Sequence, residues 1–287
     1  MSKPFIPYVE FYMINVCNLA CPGCNRFNNY QFNGYQRWSD YAEVYQQWAQ
    51  QINIGSISIM GGEPMINPTF MEWVVGINQL WPRQTLRIIS NGFRLDRQTE
   101  LYSVLQQHSN VQLWIGIHNK QHKREIIQKV KDFTQAPHQV SFNSDKPYQQ
   151  YMIITDANGV KIRIEYNWWF HQGAIIKQES QLTLHDSNIE KAHEICHMKT
   201  CHHFIRGELY KCGVVAVLPE FDQQNPLTLT KQHRELMHSY RPLKISDSIE
   251  FKQQFIDNLN KPIDQCRFCP EVYNGDQIWS QHKKDKS

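Results

Sequence analysis

The chain has 287 residues, 41% of them hydrophobic, which is enough for one core of barrel size with a small appendage. Its formal net charge of +3 neither demands nor excludes an anionic partner. Its eight Cys fall into three groups, 17/21/24, 196/201/212 and 266/269, with long Cys-free stretches between them; this is not the disulfide framework of a small secreted domain. The first seven residues lack the apolar core of a signal peptide, and no run of about 18 apolar residues exists to cross a membrane. A cytoplasmic location is expected, where thiols stay reduced and clustered Cys more often bind metal.

The first two-thirds alternate strand-like and helix-like segments. Val9 to Val16 reads as a strand that runs into the first Cys group. Asp40 to about Ile52 reads as a helix, with Tyr41, Val44, Tyr45, Trp48 and Ile52 at helical spacing and Asp40 with Glu43 as a capping pair. Ser56 to Met60 is a short strand. Asn67-Pro68 opens a helix that carries Phe70, Trp73, Val74, Ile77 and Trp81 on one face. Leu86 to Ile89 is a strand, Arg97 to Gln107 a helix and Val111 to Ile117 a strand. A basic helix spans about His122 to Phe133, and Tyr151 to Thr155 and Val160 to Asn167 are strands around the turn Asp156-Ala-Asn-Gly159. Repeated strand–helix units predict a parallel α/β sheet or open barrel. From about residue 185 the pattern changes to helices and a short hairpin bearing five Cys. The expected division is a barrel domain over 1–185, a small α+β domain over 186–280 and a polar tail over 281–287.

Cys17-Asn-Leu-Ala-Cys21-Pro-Gly-Cys24 places three thiols on one tight loop. Three thiolates can ligate three irons of a [4Fe–4S] cube and leave the fourth iron open to a small molecule. Structural zinc takes four protein ligands, so a zinc site here would have to recruit a distant residue. Gly61-Gly-Glu-Pro64 follows a strand and precedes a helix, and Ser90-Asn-Gly92 ends the next strand.

Taken together, these three motifs resemble the radical S-adenosylmethionine (SAM) superfamily, in the right order and structural context. The resemblance implies a partial (β/α)6 barrel and a [4Fe–4S] cluster on Cys17, Cys21 and Cys24. It also implies reductive cleavage of SAM to a 5′-deoxyadenosyl radical. It assigns Gly61, Gly62, Glu63 and Pro64 to SAM, with the glycines allowing close backbone approach and Glu63 accepting from the SAM ammonium. Asn91, with Ser90, would reach the ribose or the methionine carboxylate. The residue before the third Cys is commonly aromatic in the superfamily and is Gly23 here, so adenine stacking must come from elsewhere; Phe27 is the candidate.

The later Cys read Cys196-His-Met-Lys-Thr-Cys201, then Gly207-Glu-Leu-Tyr-Lys-Cys212, then Cys266-Arg-Phe-Cys269. The Gly-x4-Cys step resembles the auxiliary-cluster region of SPASM and twitch enzymes, and five Cys imply one further [4Fe–4S] cluster in the shorter, twitch-like form. Cys201, Cys212, Cys266 and Cys269 are the favoured ligands, with Cys196 the rival of Cys201. Zinc is the competing occupant, since His193, His197, His202 and His203 crowd the same region.

Barrel chemistry sits at the C-terminal ends of strands, which adds His118, Asn119 and Asn167 as candidates and makes Trp168, Trp169 and Phe170 either a dry pocket or interdomain packing. Arg163, Glu165 and Asn167 share one strand face, as they would on a lumen-facing strand or on a wet edge strand. Lys120, Lys123, Arg124, Lys129 and Lys131 make a basic helix that can touch phosphates or simply be a solvated face. The expected activity is hydrogen abstraction from an unactivated carbon of a small molecule, ending in dehydrogenation. The alternatives are modification of a nucleoside, nucleic acid or peptide, or a non-catalytic iron–sulfur or zinc protein. A flavodoxin or ferredoxin is the expected electron donor, and no membrane partner is expected.

Overall fold

A computed structural model of the chain describes residues 3–134, 138–143, 151–166, 169–170, 173–272 and 277–278. The first half alternates strand and helix: β1 (Phe5–Tyr12), α1 (Trp38–Gln51), β2 (Asn53–Met60), α2 (Phe70–Leu80), β3 (Thr85–Ser90), α3 (Leu101–Gln107), β4 (Val111–Ile117) and α4 (Lys123–Phe133). The strands β5 (Gln139–Asn143), β6 (Tyr151–Thr155), β7 (Lys161–Tyr166), β8 (Trp169–Phe170), β9 (Ile175–Gln178) and β10 (Gln181–Leu184) follow. The remainder is α5 (Ile189–Glu194), β11 (His202–Ile205), β12 (Glu208–Tyr210), α6 (Gly213–Gln224), α7 (Lys231–His238), α8 (Ile249–Asp257) and β13 (Gln277–Ile278).

Nine strands form one open sheet in the order β12-β11-β1-β2-β3-β4-β7-β6-β5. The run from β11 through β1, β2, β3 and β4 to β7 is parallel; β12 at one end and β6 and β5 at the other are antiparallel. This is the α/β architecture of a partial barrel, with β12 and β5 as its two open edges. The sheet crosses the division expected at 185/186: β11 pairs with β1, and Phe204, Leu209 and Leu243 belong to the same core as the first half of the chain.

Period-2 alternation sorts the strands' side chains onto two faces. One face carries Val9, Phe11, Ile57, Ile59, Leu86, Ile88, Leu113, Ile115, Ile162 and Ile164, all fully or almost fully buried beneath the helices. The other face carries the strands' charged and polar residues among a few apolar ones, and the register aligns them. Glu10 stands opposite Ser58 and His203, Ser58 opposite Arg87, Trp114 opposite Ile89 and Arg163, and Gly116 opposite Glu165. Parallel strands covered on both faces are normally apolar throughout. A polar row along six strands therefore marks the face that lines a cavity. Arg163 and Glu165 lie in it, and β7 is paired on both sides, so the wet-edge reading of that strand is corrected.

Local expectations shift in three places. β1 begins at Phe5 and ends at Tyr12, because the chain then leaves the sheet to carry the cysteine loop. α1 begins at Trp38 with Arg37 as its N-cap and no side-chain cap bond, so Asp40 and Glu43 do not form the capping pair. Trp38 instead stacks on Tyr45 at 5.9 Å and meets Trp73 edge-on at 5.2 Å, and this packing sets the helix start. The segment before α3 is a short 3-10 turn at Leu95–Arg97, not helix.

Candidate active site

The cysteine loop is moored to two neighbouring loops by backbone bonds. The Gly62 and Glu63 amides donate to the Ile14 and Val16 carbonyls at 2.7 and 2.9 Å. Buried Asn67 donates to the Met13 and Gln36 carbonyls, each at 2.9 Å. The need for glycine follows from this mooring. A Cβ on Gly62 would lie 2.1 Å from the Val16 carbonyl oxygen, and one on Gly61 2.5 Å from that of Ile14, with Gly61 at φ +153°. The glycines thus permit the close approach of two loops. Both glycines also line the cavity, so the packing of the loops is a second demand beside the expected one.

Cys17, Cys21 and Cys24 line one cavity of about 520 Å³ together with Gly61, Gly62, Glu63, Ser90, Asn91 and His118. Cys17 and Cys21 are buried and Cys24 is half-buried. The Cys24 amide closes a turn onto the Cys21 carbonyl at 3.1 Å, and the Asn91 amide group donates to the Cys17 sulfur at 3.8 Å and to Asn18 Oδ1 at 2.9 Å. Asn91 therefore joins the strand-end turn to the cysteine loop. Hydrogen bonds to a ligating sulfur are one of the means by which a protein sets a cluster's potential.

Glu63 is 1% exposed. Its Oε1 accepts from Ser90 Oγ at 2.8 Å and from the Met65 amide at 3.1 Å, and its Oε2 accepts from the Asn91 amide at 2.8 Å. Burial raises its pKa, and these bonds, the Asn91 amide first, oppose that shift. A carboxylate has about four acceptor positions, and three of them are used internally. Pro64 opens a 3-10 turn beside it and is buried away from the cavity. Asn167 and Trp168 lie outside the described residues. Phe27 is 1% exposed and packs on Phe221 at 5.0 Å, in the core beneath the loop, so it is not the adenine platform.

Of the far wall of the cavity, the sequence placed only Glu165 toward the lumen. Glu10, Arg26, Met60, Trp114, Glu165, His197, Met198 and Cys201 all line it. Glu10 accepts from Arg26 at 2.5 Å, from His203 Nε2 at 2.7 Å and from Tyr8 Oη at 2.9 Å. Burial pushes its carboxyl up, but Arg26 and His203 outweigh burial and hold it at about 2. The sequence signal was present: a Glu between Val9 and Phe11, in a strand otherwise destined for burial, has to be paired.

The late cysteines separate into two places. Cys212, Cys266 and Cys269 are each pushed up by burial, Cys212 to about 11, and the thiols that act on them are Cys196 and one another. Cys212 is also the N-cap of α6, where the helix end favours a thiolate. Cys201 lies apart from them. Burial and then Glu10 push it up to about 12, with Cys196 acting on it as well, and it faces the cavity of the first cysteine group. The histidines likewise disperse. His203 is bonded to Glu10, and His202 Nδ1 meets the Lys211 carbonyl at 2.8 Å, with burial lowering its pKa to about 4. Among the described residues, no three His, Cys, Asp or Glu side chains are placed to grip a single metal ion.

Residues 11–162, more than half of the chain, match the family model described as the radical SAM superfamily, and the chain belongs to that superfamily. The superfamily is one of SAM-dependent radical enzymes. GTP 3′,8-cyclase of Haemophilus ducreyi is 28% identical over 97 residues, which is 33% of this chain and 28% of that protein, so the chain spans less than a third of this curated relative. Among solved structures, SuiB of Streptococcus suis bound to S-adenosylmethionine is 17% identical, with a TM-score of 0.37 over 45% of this chain and 31% of that one. BtrN in complex with AdoMet and 2-DOIA is 14% identical, with a TM-score of 0.44 over 95% of this chain and 100% of that one. No helix among the described residues is long and apolar enough to cross a membrane.

The place of Glu63 in the cavity wall leads to a prediction. Glu63→Ala removes a buried charge-assisted contact worth about 1.5–3 kcal/mol, so SAM affinity should fall on the order of 10- to 100-fold while the iron content stays. Equilibrium dialysis with labelled SAM checks this, and unchanged affinity would remove Glu63 from SAM binding.

Proposed function

We propose that the chain cleaves SAM at a [4Fe–4S] cluster on Cys17, Cys21 and Cys24 and takes a hydrogen atom from a carbon of a small-molecule substrate. The outcome is an oxidation assisted by a second [4Fe–4S] cluster on Cys196, Cys212, Cys266 and Cys269. The observation that carries the reading is the union of three loops, with Cys17, Gly62, Glu63 and Asn91 bonded into one wall of a single cavity. When bound, the first cluster and SAM would supply a 5′-deoxyadenosyl radical that takes the hydrogen atom, and the second would accept the remaining electron while the substrate's proton leaves to solvent.

The protein's own residues orient and shield. Three thiolates leave one iron free for a ligand. Glu63 meets an ammonium group. Leu19, Met60, Ile89 and Trp114 give the cavity an apolar wall that keeps water from a radical. A cavity of about 520 Å³ shared by SAM and substrate suits a small molecule better than a folded peptide or nucleic acid. The electron donor is a flavodoxin or ferredoxin.

Cys201 favours a second, redox-neutral reading. Its thiol faces the cavity, where Glu10 and Arg26 act on it more strongly than Cys196 does. An S–H bond is weaker than an aliphatic C–H bond, so Cys201 can give its hydrogen atom to the substrate carbon. The resulting sulfur radical then takes one electron from the iron–sulfur or flavin donor and one proton to restore the thiol.

The test is anaerobic turnover in D2O with candidate substrates, following 5′-deoxyadenosine and product mass. Oxidation yields 5′-deoxyadenosine and a product two mass units lighter than substrate. The redox-neutral reaction yields a product with one deuterium, and Cys201→Ala should abolish that label. No 5′-deoxyadenosine with reconstituted, reduced protein would sink the proposal.

A further inference from the structure

The basic helix anticipated over about 122–133 has a place in the fold that its sequence does not reveal. α4 follows the end of β4, beside the cysteine loop. Phe93, just after the Ser90-Asn-Gly92 turn, packs against Cys17, Leu19 and Cys21. Its amide donates to Asn91 Oδ1 at 3.1 Å, and Asn91 in turn donates to the Cys17 sulfur. On its other side Phe93 meets the His122 ring edge-on at 5.1 Å. His122 immediately precedes α4. A single aromatic layer therefore separates the cysteine loop from the surface of this helix.

That surface is cationic. Lys120, Lys123 and Arg124 are exposed on it, with Arg94 half-buried nearby. Lys123 lies over the Tyr166 ring at 4.6 Å, and Lys129 pairs with Asp96 at 3.2 Å. Lys131 is exposed on the same helix, and Asp96, Glu125 and Asp132 are the acidic residues among them. Six cations against three carboxylates is a local excess in a chain whose total charge is only +3. Resting on the reading that Cys17, Cys21 and Cys24 hold the cluster, we propose that the α4 face is where a small acidic electron-transfer protein, carrying flavin or iron–sulfur, docks to reduce it. Electron transfer weakens steeply with distance, and from this face Phe93 alone stands between His122 and the cysteine loop. Electron-transfer encounters are small and weak, and are steered by opposite charge more than held by apolar contact. A charged face with a short aromatic path behind it meets both needs. Nucleic acid would also be drawn to the lysines, but it has no need to sit over the cysteine loop.

The experiment follows the bleaching of the oxidised cluster in the reconstituted holoenzyme by stopped flow. One arm uses reduced flavodoxin, the other dithionite, which needs no docking face. The Lys120→Glu/Lys123→Glu/Arg124→Glu variant should be reduced by flavodoxin at least about tenfold more slowly at low salt, and wild type and variant should converge as salt rises. Iron content and the dithionite rate should not change. If the triple variant folds poorly, Arg124→Glu alone should show a smaller loss with the same salt dependence. An intact cluster with an unchanged flavodoxin rate overturns the proposal. So does a variant that loses only affinity for an oligonucleotide. A wild-type protein that forms no cluster would overturn the proposed function as well, and is seen before either reductant is added.

Discussion

Cys24→Ala should reduce 5′-deoxyadenosine formation to the level of a blank without protein. Cys24 is half-buried at the rim of the cavity, so its replacement should change stability by no more than about 1 kcal/mol and leave the fold in place. The turn that places it is closed by backbone, the Cys24 amide on the Cys21 carbonyl at 3.1 Å, and that bond survives the substitution. What is lost is one of three thiols on a loop where three is the minimum that holds a cube and leaves an iron open. The measurement is chromatographic detection of 5′-deoxyadenosine and methionine after anaerobic reconstitution and reduction. Melting temperature serves as the control for folding. Wild-type yields from Cys24→Ala would remove this loop from catalysis. Loss of both activity and folding would call for Cys24→Ser, which keeps the volume and weakens the ligand.

The strand–helix alternation was legible because periodicity is a local property: α2, β3 and β4 stand close to where their apolar spacing puts them. The three site motifs were legible for a related reason, since each is a short run at a strand end and sheet order alone brings them together. The rest depended on partners distant in sequence. Glu10 became a site residue only when Arg26, 16 positions on, and His203, far beyond, converged on it. The glycine pair read as a ligand contact, and its crowding against Ile14 and Val16 is a further demand that only the fold reveals. Phe27 looked like an aromatic near the cluster, but Phe221 on α6 claims it for the core. β11 could not be placed beside β1 from spacing, because nothing within residues 186–210 records that the first strand's free edge is the one it completes.

The late cysteines show the same limit in a form that iron analysis can decide. The run from Cys196 to Cys212 offers two thiols for one place, and proximity along the chain points to Cys201, which directly precedes β11. The fold points the other way. As β11 enters the sheet it carries Cys201 toward Glu10 and the first cavity, whereas Cys212, Cys266 and Cys269 are acted on by Cys196 and one another, Cys196 standing within reach of Cys201 as well. Fully reconstituted protein should therefore contain about eight irons and little zinc. A Cys17/Cys21/Cys24→Ala variant should keep about four, since the second site has its own ligands. On that background Cys196→Ala should lose or destabilise the remaining irons. Cys201→Ala should keep them, because its thiol is absent from the surroundings of the other three. Iron and sulfide analysis with absorbance near the cluster bands reads all four proteins. Retention of iron by Cys196→Ala together with its loss from Cys201→Ala would restore Cys201 to the ligand set and remove it from the radical cavity. Stoichiometric zinc in the triple variant, with no residual iron, would leave the first site standing and take away the redox role given to the second.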